Sequence, residues 1–446
     1  MITIKTNQIC SLHKVVAPTD LHNLKPNMPS FFFNPIPFHA LILLLILNLS
    51  CLFSNIAAKH GSSDHHRHHS PHSRHSSASN PRLQRAYIAL RAWKRVIYSD
   101  PTNFTSNWVG SEVCNYRGVY CAQALDDPKI KVVAGIDLNH LDIAGFLPDE
   151  IGLLTDVSLI HLNSNRFCGI IPQTIANLTH LYELDLSNNR FVGGFPSPVL
   201  SLPMLGYLDL RYNEFEGTLP PELFQKKLDA IFVNNNRFTN VIPSFVTGST
   251  ASVLVIANNN FSGPLPPSIA NFAETLEELL LANSSLTGCL PPEVGYLYKL
   301  RLLDVSHNKL VGPIPYSLAG LAHLESLNLA HNMMSGIVSE GVCVLPSLSN
   351  FTFSDNFFCE EQGVCMNLTS KGVAFDDRQN CLPEKLFQRT KKECNSVLEH
   401  PVDCFEEHYV GEGMSGGVFG SSAPFSQPVA PSAAPLMPPS IAPSST

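Results

Sequence analysis

From residue 133 onward, apolar residues recur in a frame of about 24 residues. Each frame holds an apolar-x-apolar core. Its second apolar residue is Leu138, Leu162, Leu186, Leu210, Val233, Ile256, Leu281, Val305, Leu329 or Phe353, and the spacings are 24, 24, 24, 23, 23, 25, 24, 24 and 24. Its first is Ile136, Ile160, Leu184, Leu208, Ile231, Leu254, Leu279, Leu303, Leu327 or Phe351. Three residues past the second, Asn stands in eight of ten frames (Asn165, Asn189, Asn213, Asn236, Asn259, Asn308, Asn332, Asn356), with Leu141 and Ser284 as exceptions. A fixed period of this length marks a stack of repeats in which each unit covers only its neighbours. The apolar-x-apolar pair predicts a short strand whose alternate residues enter the core. The Asn falls where that strand bends, and its amide can there satisfy backbone groups leaving the ladder. Gly and Pro follow, as in Phe167-Cys-Gly-Ile-Ile-Pro172 and Leu310-Val-Gly-Pro-Ile-Pro315. They are expected to punctuate the convex side and keep it from forming a continuous sheet edge. The pattern predicts an α/β solenoid of about ten repeats over residues 132–358.

Both ends of the stack need covering, because a terminal repeat would otherwise expose its apolar end. Residues 81–131 are expected to be the N-terminal cap. Asn80-Pro81 supplies a helix N-cap and a Pro at the first helical position. Leu83, Tyr87, Leu90 and Ile97 then share one helical face, and the helix is expected to run to Asp100-Pro101. Cys114 and Cys121 suggest a staple just before the first repeat. Residues 359–410 are expected to be a Cys-rich C-terminal cap. Cys343, Cys359, Cys365, Cys381, Cys394 and Cys404 predict three disulfides, with fifteen connectivities open. Cys168 and Cys289 lie five repeats apart, roughly 24 Å at about 4.8 Å per turn, too far to bridge each other. Each is a buried thiol or bonds a partner that sequence does not name.

The flanks are different in kind. Ala40 to Phe53 is an apolar run followed by small residues to Ala58, which reads as a signal peptide over residues 1–58, with Met28 an alternative start. Its apolar core is shorter than the roughly 20 residues that span a bilayer. The mature chain is then expected to be secreted, with no membrane span, and to keep ten cysteines in an oxidising compartment. In that compartment Asn103, Asn177, Asn260, Asn283, Asn350 and Asn367 become N-glycosylation candidates. Residues 59–80 hold seven His between His60 and His75; without ligand spacing they read as a polar linker rather than a metal site. Residues 411–446 are a Gly/Ser/Ala/Pro-rich tail expected to be disordered.

Composition narrows the function. The formal charge of -8 argues against a nucleic-acid partner and leaves room for a basic one. No G-x-S-x-G, no H-E-x-x-H and no phosphate-binding glycine loop occurs, so neither a catalytic residue nor a cofactor or metal is expected. Asp185 and Asp209 on adjacent strands would mimic a hydrolase dyad at about 5 Å, but on an open face with no pocket to tune them. Candidate binding residues are those facing outward from the concave strands: Asp137, Asn139, His140, His161, Asn163, Asp185, Asp209, Arg211, Tyr212, Phe232 and Asn234. Acidic groups on a shared face favour a cationic peptide, and Tyr212 and Phe232 could anchor it. The plainer alternative is that Asp in this position is a solvated strand residue. Outward Val255 and Leu280 mark a more apolar middle, a second contact zone or a dimer surface.

The chain resembles the leucine-rich repeat extensins of plant cell walls, pollen types included. The resemblance covers roughly residues 83–405. It is carried by AYIALRAWKRVIYSDP (Ala86–Pro101), NWVGSEVC (Asn107–Cys114), VVAGIDLNHLDIAGFLP (Val132–Pro148), HLNSNRFCGIIP (His161–Pro172), LDLRYNEFEGTLP (Leu208–Pro220), DAIFVNNNRF (Asp229–Phe238) and HPVDC (His400–Cys404). It implies a plant-type leucine-rich-repeat right-handed superhelix with disulfide-rich caps, in the extracellular plant cell wall. It also implies binding of small cysteine-rich rapid alkalinisation factor peptides, a link to wall expansion, and a homodimer; a wall polysaccharide such as pectin is a further partner considered. Two features depart from the family. No Ser-Pro-Pro-Pro-Pro block follows the repeats, only Ala-Pro pairs such as Ala423-Pro424 and Ala430-Pro431, so the extensin region reads as truncated. The family cysteine just beyond Cys404 is also missing. The rival readings are an inhibitor of a wall-degrading hydrolase such as polygalacturonase, and a purely structural wall protein.

Overall fold

In the computed structural model, residues 80–404 are described, apart from 246 and 247. The leader, the His/Ser-rich linker up to Ser79 and the proline tail lie outside the described residues. The chain divides into units Met1–Val402 and Asp403–Thr446, and the whole repeat stack belongs to the first. No described helix is long and apolar enough to cross a membrane.

The first unit's described part opens with helix α1, Pro81–Val96, capped by the Asn80 side chain, which accepts from the Arg82 and Leu83 amides. The helix stops four residues short of the predicted end. Ile97 is already extended, and Ser99 bridges to Ala144 at the first turn of the stack. Its buried face is Ala86, Ala89, Leu90 and Trp93, and Trp93 meets Trp108 and Phe167 edge-on or tilted at about 6 Å. The indoles thus continue the repeat core into the cap. A disulfide ties Cys114 to Cys121 within strand β1, Val119–Gln123.

β1 pairs antiparallel with β2, Lys131–Asp137. Ten short parallel strands follow in strict sequence order: β3 Leu159–His161, β4 Glu183–Asp185, β5 Tyr207–Asp209, β6 Ala230–Phe232, β7 Val253–Val255, β8 Glu278–Leu280, β9 Leu302–Asp304, β10 Ser326–Asn328, β11 Asn350–Thr352 and β12 Ala374–Asp376. The middle residue of each strand from β3 to β11 is buried to within 1% exposure. β12 is a rung the periodicity did not predict. Its anchor position holds Asp377 instead of an apolar residue, and the charge is met by Lys385, whose Nζ lies 2.5 Å from Asp377 Oδ2 and from Glu361 Oε2.

The Asn of each turn is fully used. Asn189 donates from Nδ2 to the carbonyls of Leu162, Leu186 and Ser187, and its Oδ1 accepts from Phe167 N–H. The set recurs at Asn165, Asn213, Asn236, Asn259, Asn308, Asn332 and Asn356, and again at Asn380, where it satisfies β12. In four turns the amide accepted by Asn belongs to a Phe, and these four rings, Phe167, Phe191, Phe215 and Phe238, form three consecutive stacked pairs at 6.4 to 6.5 Å.

The second side of the stack differs from expectation. The segment before each Gly is a lateral strand, not a sheet breaker. Six of these strands, from Ala144–Gly145 to Asn260–Ser262, form one sheet, and four, from Thr287–Cys289 to Phe357–Glu361, form another. Gly169 and Gly312, at φ 81° and 74°, end their strands in a backbone that side chains resist. The break between the sheets falls where Ser284 replaces Asn: its hydroxyl reaches the Ile256 and Ala282 carbonyls, and it brings no second amide group. Short 3-10 helices such as Gln173–Asn177 and Pro292–Tyr296 fill the convex side. A 3-10 helix is wider than the roughly 4.8 Å strand spacing, and in a solenoid that difference puts the strand sheet, here twelve-stranded, on the concave side.

The C-terminal cap holds Cys343–Cys365 and Cys381–Cys394, the latter anchoring helix α2, Lys391–Leu398. A third disulfide through Cys359 is not made. Cys359 is a thiol on a lateral strand, its Sγ 3.4 Å from the Gly336 carbonyl, and it faces along the stack rather than into the cap. Cys168 and Cys289 are buried.

Asn189→Ala strips a buried amide and three carbonyls of their partner, and is expected to destabilise the repeat unit by about 2–3 kcal/mol, against about 1 kcal/mol for Ser284→Ala. Guanidinium unfolding followed by circular dichroism measures both; equal effects would mean that the Asn network is not what closes the turn.

Candidate functional site

In six of the eleven parallel concave strands the last, outward residue caps its own strand end. In β2 the Asp137 carboxylate accepts the Asn139 amide at 3.0 Å. The same bond to residue i+2 is made by Asp185, Asp209, Asp304, Asn328 and Asp376. It caps the strand end. One residue later the backbone turns left-handed at His140, Ser164, Asn188, Tyr212, Asn235, Asn258, Asn283, His307, His331, Asp355 and Gln379, all with φ between 50° and 58°. Asn, Asp and His tolerate this region; Tyr212 is the bulky exception, and its half-exposed ring is held out over the rim.

The N-terminal half is linked by polar contacts. Asn139 Oδ1 accepts the Asn163 amide, Asn163 contacts Ser187 Oγ, and Ser187 Oγ donates to Asp185 Oδ1 at 2.5 Å. His161 Nε2 lies 2.9 Å from Glu183 Oε2 on the next strand. Asp137, Asp185 and His161 are half-buried, and His140 is exposed.

Asp209, expected on the open face, is fully buried. Tyr207 Oη donates to its Oδ2 at 3.3 Å, and Arg211 Nε lies 3.0 Å from the same oxygen. Phe232 packs against both lids, its ring centroid 5.0 Å from the Arg211 guanidinium carbon and 5.8 Å from the Tyr207 ring. Burial, then the neighbouring Asp185 charge, push the Asp209 carboxyl up to about 7, although Arg211 and the hydrogen bonds pull the other way. Burial and the same two carboxylates push Tyr207 up to about 12. Arg211 and Phe232 are therefore spent partly on this cluster, and a hydrolase dyad of Asp185 and Asp209 has no open second member. Asn234 is also buried, and its Oδ1 has no hydrogen-bond partner.

Beyond β6 the face turns apolar: Val253, Val255, Leu280 and Leu302 point outward on consecutive strands, with Ala257 and Ala282 beside them. The C-terminal end is polar again, and sequence reasoning passed over it. His307 and His331 stack at 4.1 Å, and His331 Nδ1 lies 3.4 Å from Asp355 Oδ2. A cavity of about 300 Å³ follows, lined by Ser354, Asp355, Arg378, Gln379 and Phe387. The recurrence of His at the left-handed position was readable from the frame. The cavity was not, because Phe387 comes from the cap. No group of three or more His, Cys, Asp or Glu among the described residues is arranged to hold a metal.

Comparison with known proteins places this face in context. Leucine-rich-repeat family models match residues 180–202, 204–225, 252–272 and 274–334. The leucine-rich-repeat ectodomain of the Arabidopsis receptor kinase HAESA, solved with an extended IDA peptide hormone, is similar at 28% identity and TM-score 0.58, over 68% of this chain and 50% of that one. The plant peptide hormone receptor RGFR1, solved with RGF2, is similar at 28% identity and TM-score 0.53, over 60% and 43%. Leucine-rich repeat extensin-like protein 6 of Arabidopsis thaliana is 57% identical over 327 residues, covering 73% of this chain and 69% of the relative. Protein 4 of that series is 57% identical over 65% of its length, and protein 2 is 54% identical over 41% of its length, so the chain spans between two fifths and about two thirds of these relatives. With the repeat frame, both caps and this identity in agreement, the chain belongs to the leucine-rich repeat extensin-like family.

Proposed function

We propose that the chain is an extracellular scaffold of the plant cell wall that binds a small, basic, cysteine-rich peptide of the rapid alkalinisation factor class on its concave sheet and so regulates wall growth. The observation that carries this is the N-terminal half of the sheet, where half-buried Asp137 and Asp185 line the outward row of an unbroken ladder and Tyr212 is displayed at its rim. Preset carboxylates and a fixed aromatic ring bind a cationic peptide with little ordering cost. Similarity to ectodomains solved with peptide hormones supports the same reading. The leucine-rich-repeat models and the extensin-like relatives support a scaffold reading.

Calorimetry of the secreted chain against folded rapid alkalinisation factor peptides tests this. Asp185→Asn and Tyr212→Ala are each expected to weaken binding about tenfold, near 1.4 kcal/mol. Asp209→Asn, altered beneath its lids, is expected to change it by less than about twofold. Absence of binding to every peptide would overturn the reading. The same titration with pectin, and light scattering for a homodimer, address those partners.

Asp209 also predicts a pH effect. Its folded pKa lies above the ordinary carboxylate value of 3.8, so the unfolded chain ionises first as pH rises. The stability contributed by the protonated carboxyl is thus complete below about 4, falls as pH climbs and is gone above about 7. Melting temperatures from pH 4 to 8 are expected to show Asp209→Asn gaining on the parent chain through this window. Parallel curves would sink the assignment.

A further inference from the structure

The six sequons are not equivalent once placed on the fold. Asn103 sits in a cap turn, Asn177 ends a convex 3-10 helix, Asn260 opens a lateral strand, Asn283 is on the rim and Asn367 is in the C-terminal cap. Asn103, Asn177, Asn260 and Asn367 lie outside the concave strands, and Asn283 holds the left-handed rim position just after β8. Asn350 is different. It is the first residue of β11, and it projects from the concave sheet itself.

We propose that Asn350 carries an N-linked glycan which covers the C-terminal rungs of the concave sheet and leaves β2 to β8 as the open recognition surface. The proposal rests on that sheet being the binding face. Three observations support it. Asn350 is exposed, and Asn350-Phe-Thr352 is a complete acceptor sequence. Its neighbours in the same outward row are Ser326 and Ala374, both small, whereas the rungs further along carry Leu302, Glu278 and Val253. A bulky first sugar therefore has room on either side of its attachment point. Its amide donates to Ser326 Oγ at 3.1 Å, and that geometry survives modification, since a glycosylated amide nitrogen keeps one N–H.

The reaction is group transfer. The Asn350 amide nitrogen attacks the anomeric carbon of a lipid-diphosphate-linked oligosaccharide, a C–N bond forms, the C–O bond to the diphosphate breaks, and the amide releases one proton. The lipid diphosphate leaves with the bonding pair, and nothing is oxidised or reduced. Adjacent rungs are about 4.8 Å apart, so Leu302, two rungs from Asn350 in the same row, lies about 10 Å away, under the first sugars. The cluster of Asp137, Asp185 and Tyr212 lies at the far end of the sheet, out of reach.

Glycopeptide mapping of the full chain secreted from plant cells reads occupancy at Asn350. Hydroxyl-radical footprinting then reads coverage without any binding partner. Leu302 oxidation is expected to be several-fold slower in the glycosylated chain than in Asn350→Gln or Thr352→Val, with Tyr212 oxidised equally in all three. Enzymatic removal of glycans from the folded parent chain gives the same comparison should either variant fail to fold. An unmodified Asn350 beside occupied sequons, or equal Leu302 oxidation with and without the glycan, would overturn the proposal. Neither result touches the peptide titration, so the two ideas fail separately.

Discussion

Everything in the stack depends on how a chain can leave a parallel strand and re-enter a lateral one within a few residues without abandoning its hydrogen bonds. The recurring Asn solves this. A buried carbonyl or amide left alone costs about 1–3 kcal/mol, and one carboxamide here meets three carbonyls and one amide, drawn from its own turn and the turn before. That reach across two turns locks neighbouring repeats in register. It also fixes the preceding residue in the left-handed region and the strand-end Asp outward. The concave surface is therefore a consequence of how the turns are closed.

This gives the acidic row a double identity. One oxygen of each strand-end carboxylate is committed to the i+2 amide, and only what remains is available to a partner. At Asp209 nothing remains, because Tyr207, Arg211 and Phe232 converge on it within two neighbouring rungs. The face thus holds a closed, desolvated core between an open polar half and an apolar middle. Partner contacts fall to the side chains around the lid, Tyr212 and Asp185 foremost.

The fold was legible because the 24-residue frame carries its physics locally: alternation dictates the strand, and Asn dictates the bend. The eleventh parallel rung escaped because Asp377 breaks the apolar pattern, and only Lys385, arriving from the cap, makes a carboxylate tolerable there. Asn380 was nonetheless a readable signal for it. The lateral sheets escaped because Gly and Pro end strands as well as forbid them. The outward row of the face was also readable, but not its burial. Whether Asp209 is open or sealed depends on residues 2 and 23 positions away, and a one-dimensional frame does not weigh those together. Cysteine pairing was open for the same reason, and Cys359 turned out to lie on a strand rather than in the cap.

Ser284 has a mechanical meaning. On one side of it six lateral strands are joined, on the other four, and between them the Thr287 amide reaches the Gly263 carbonyl. A tensile load along the solenoid axis is shared within each block by two ladders, joined from Phe167 to Phe238 by a stacked aromatic spine. At this seam it passes chiefly through the concave ladder and the packed core. The stack is therefore two stiff blocks in series with a compliant joint, and strain imposed by a stretching wall concentrates where the apolar middle of the concave sheet crosses from one block to the other.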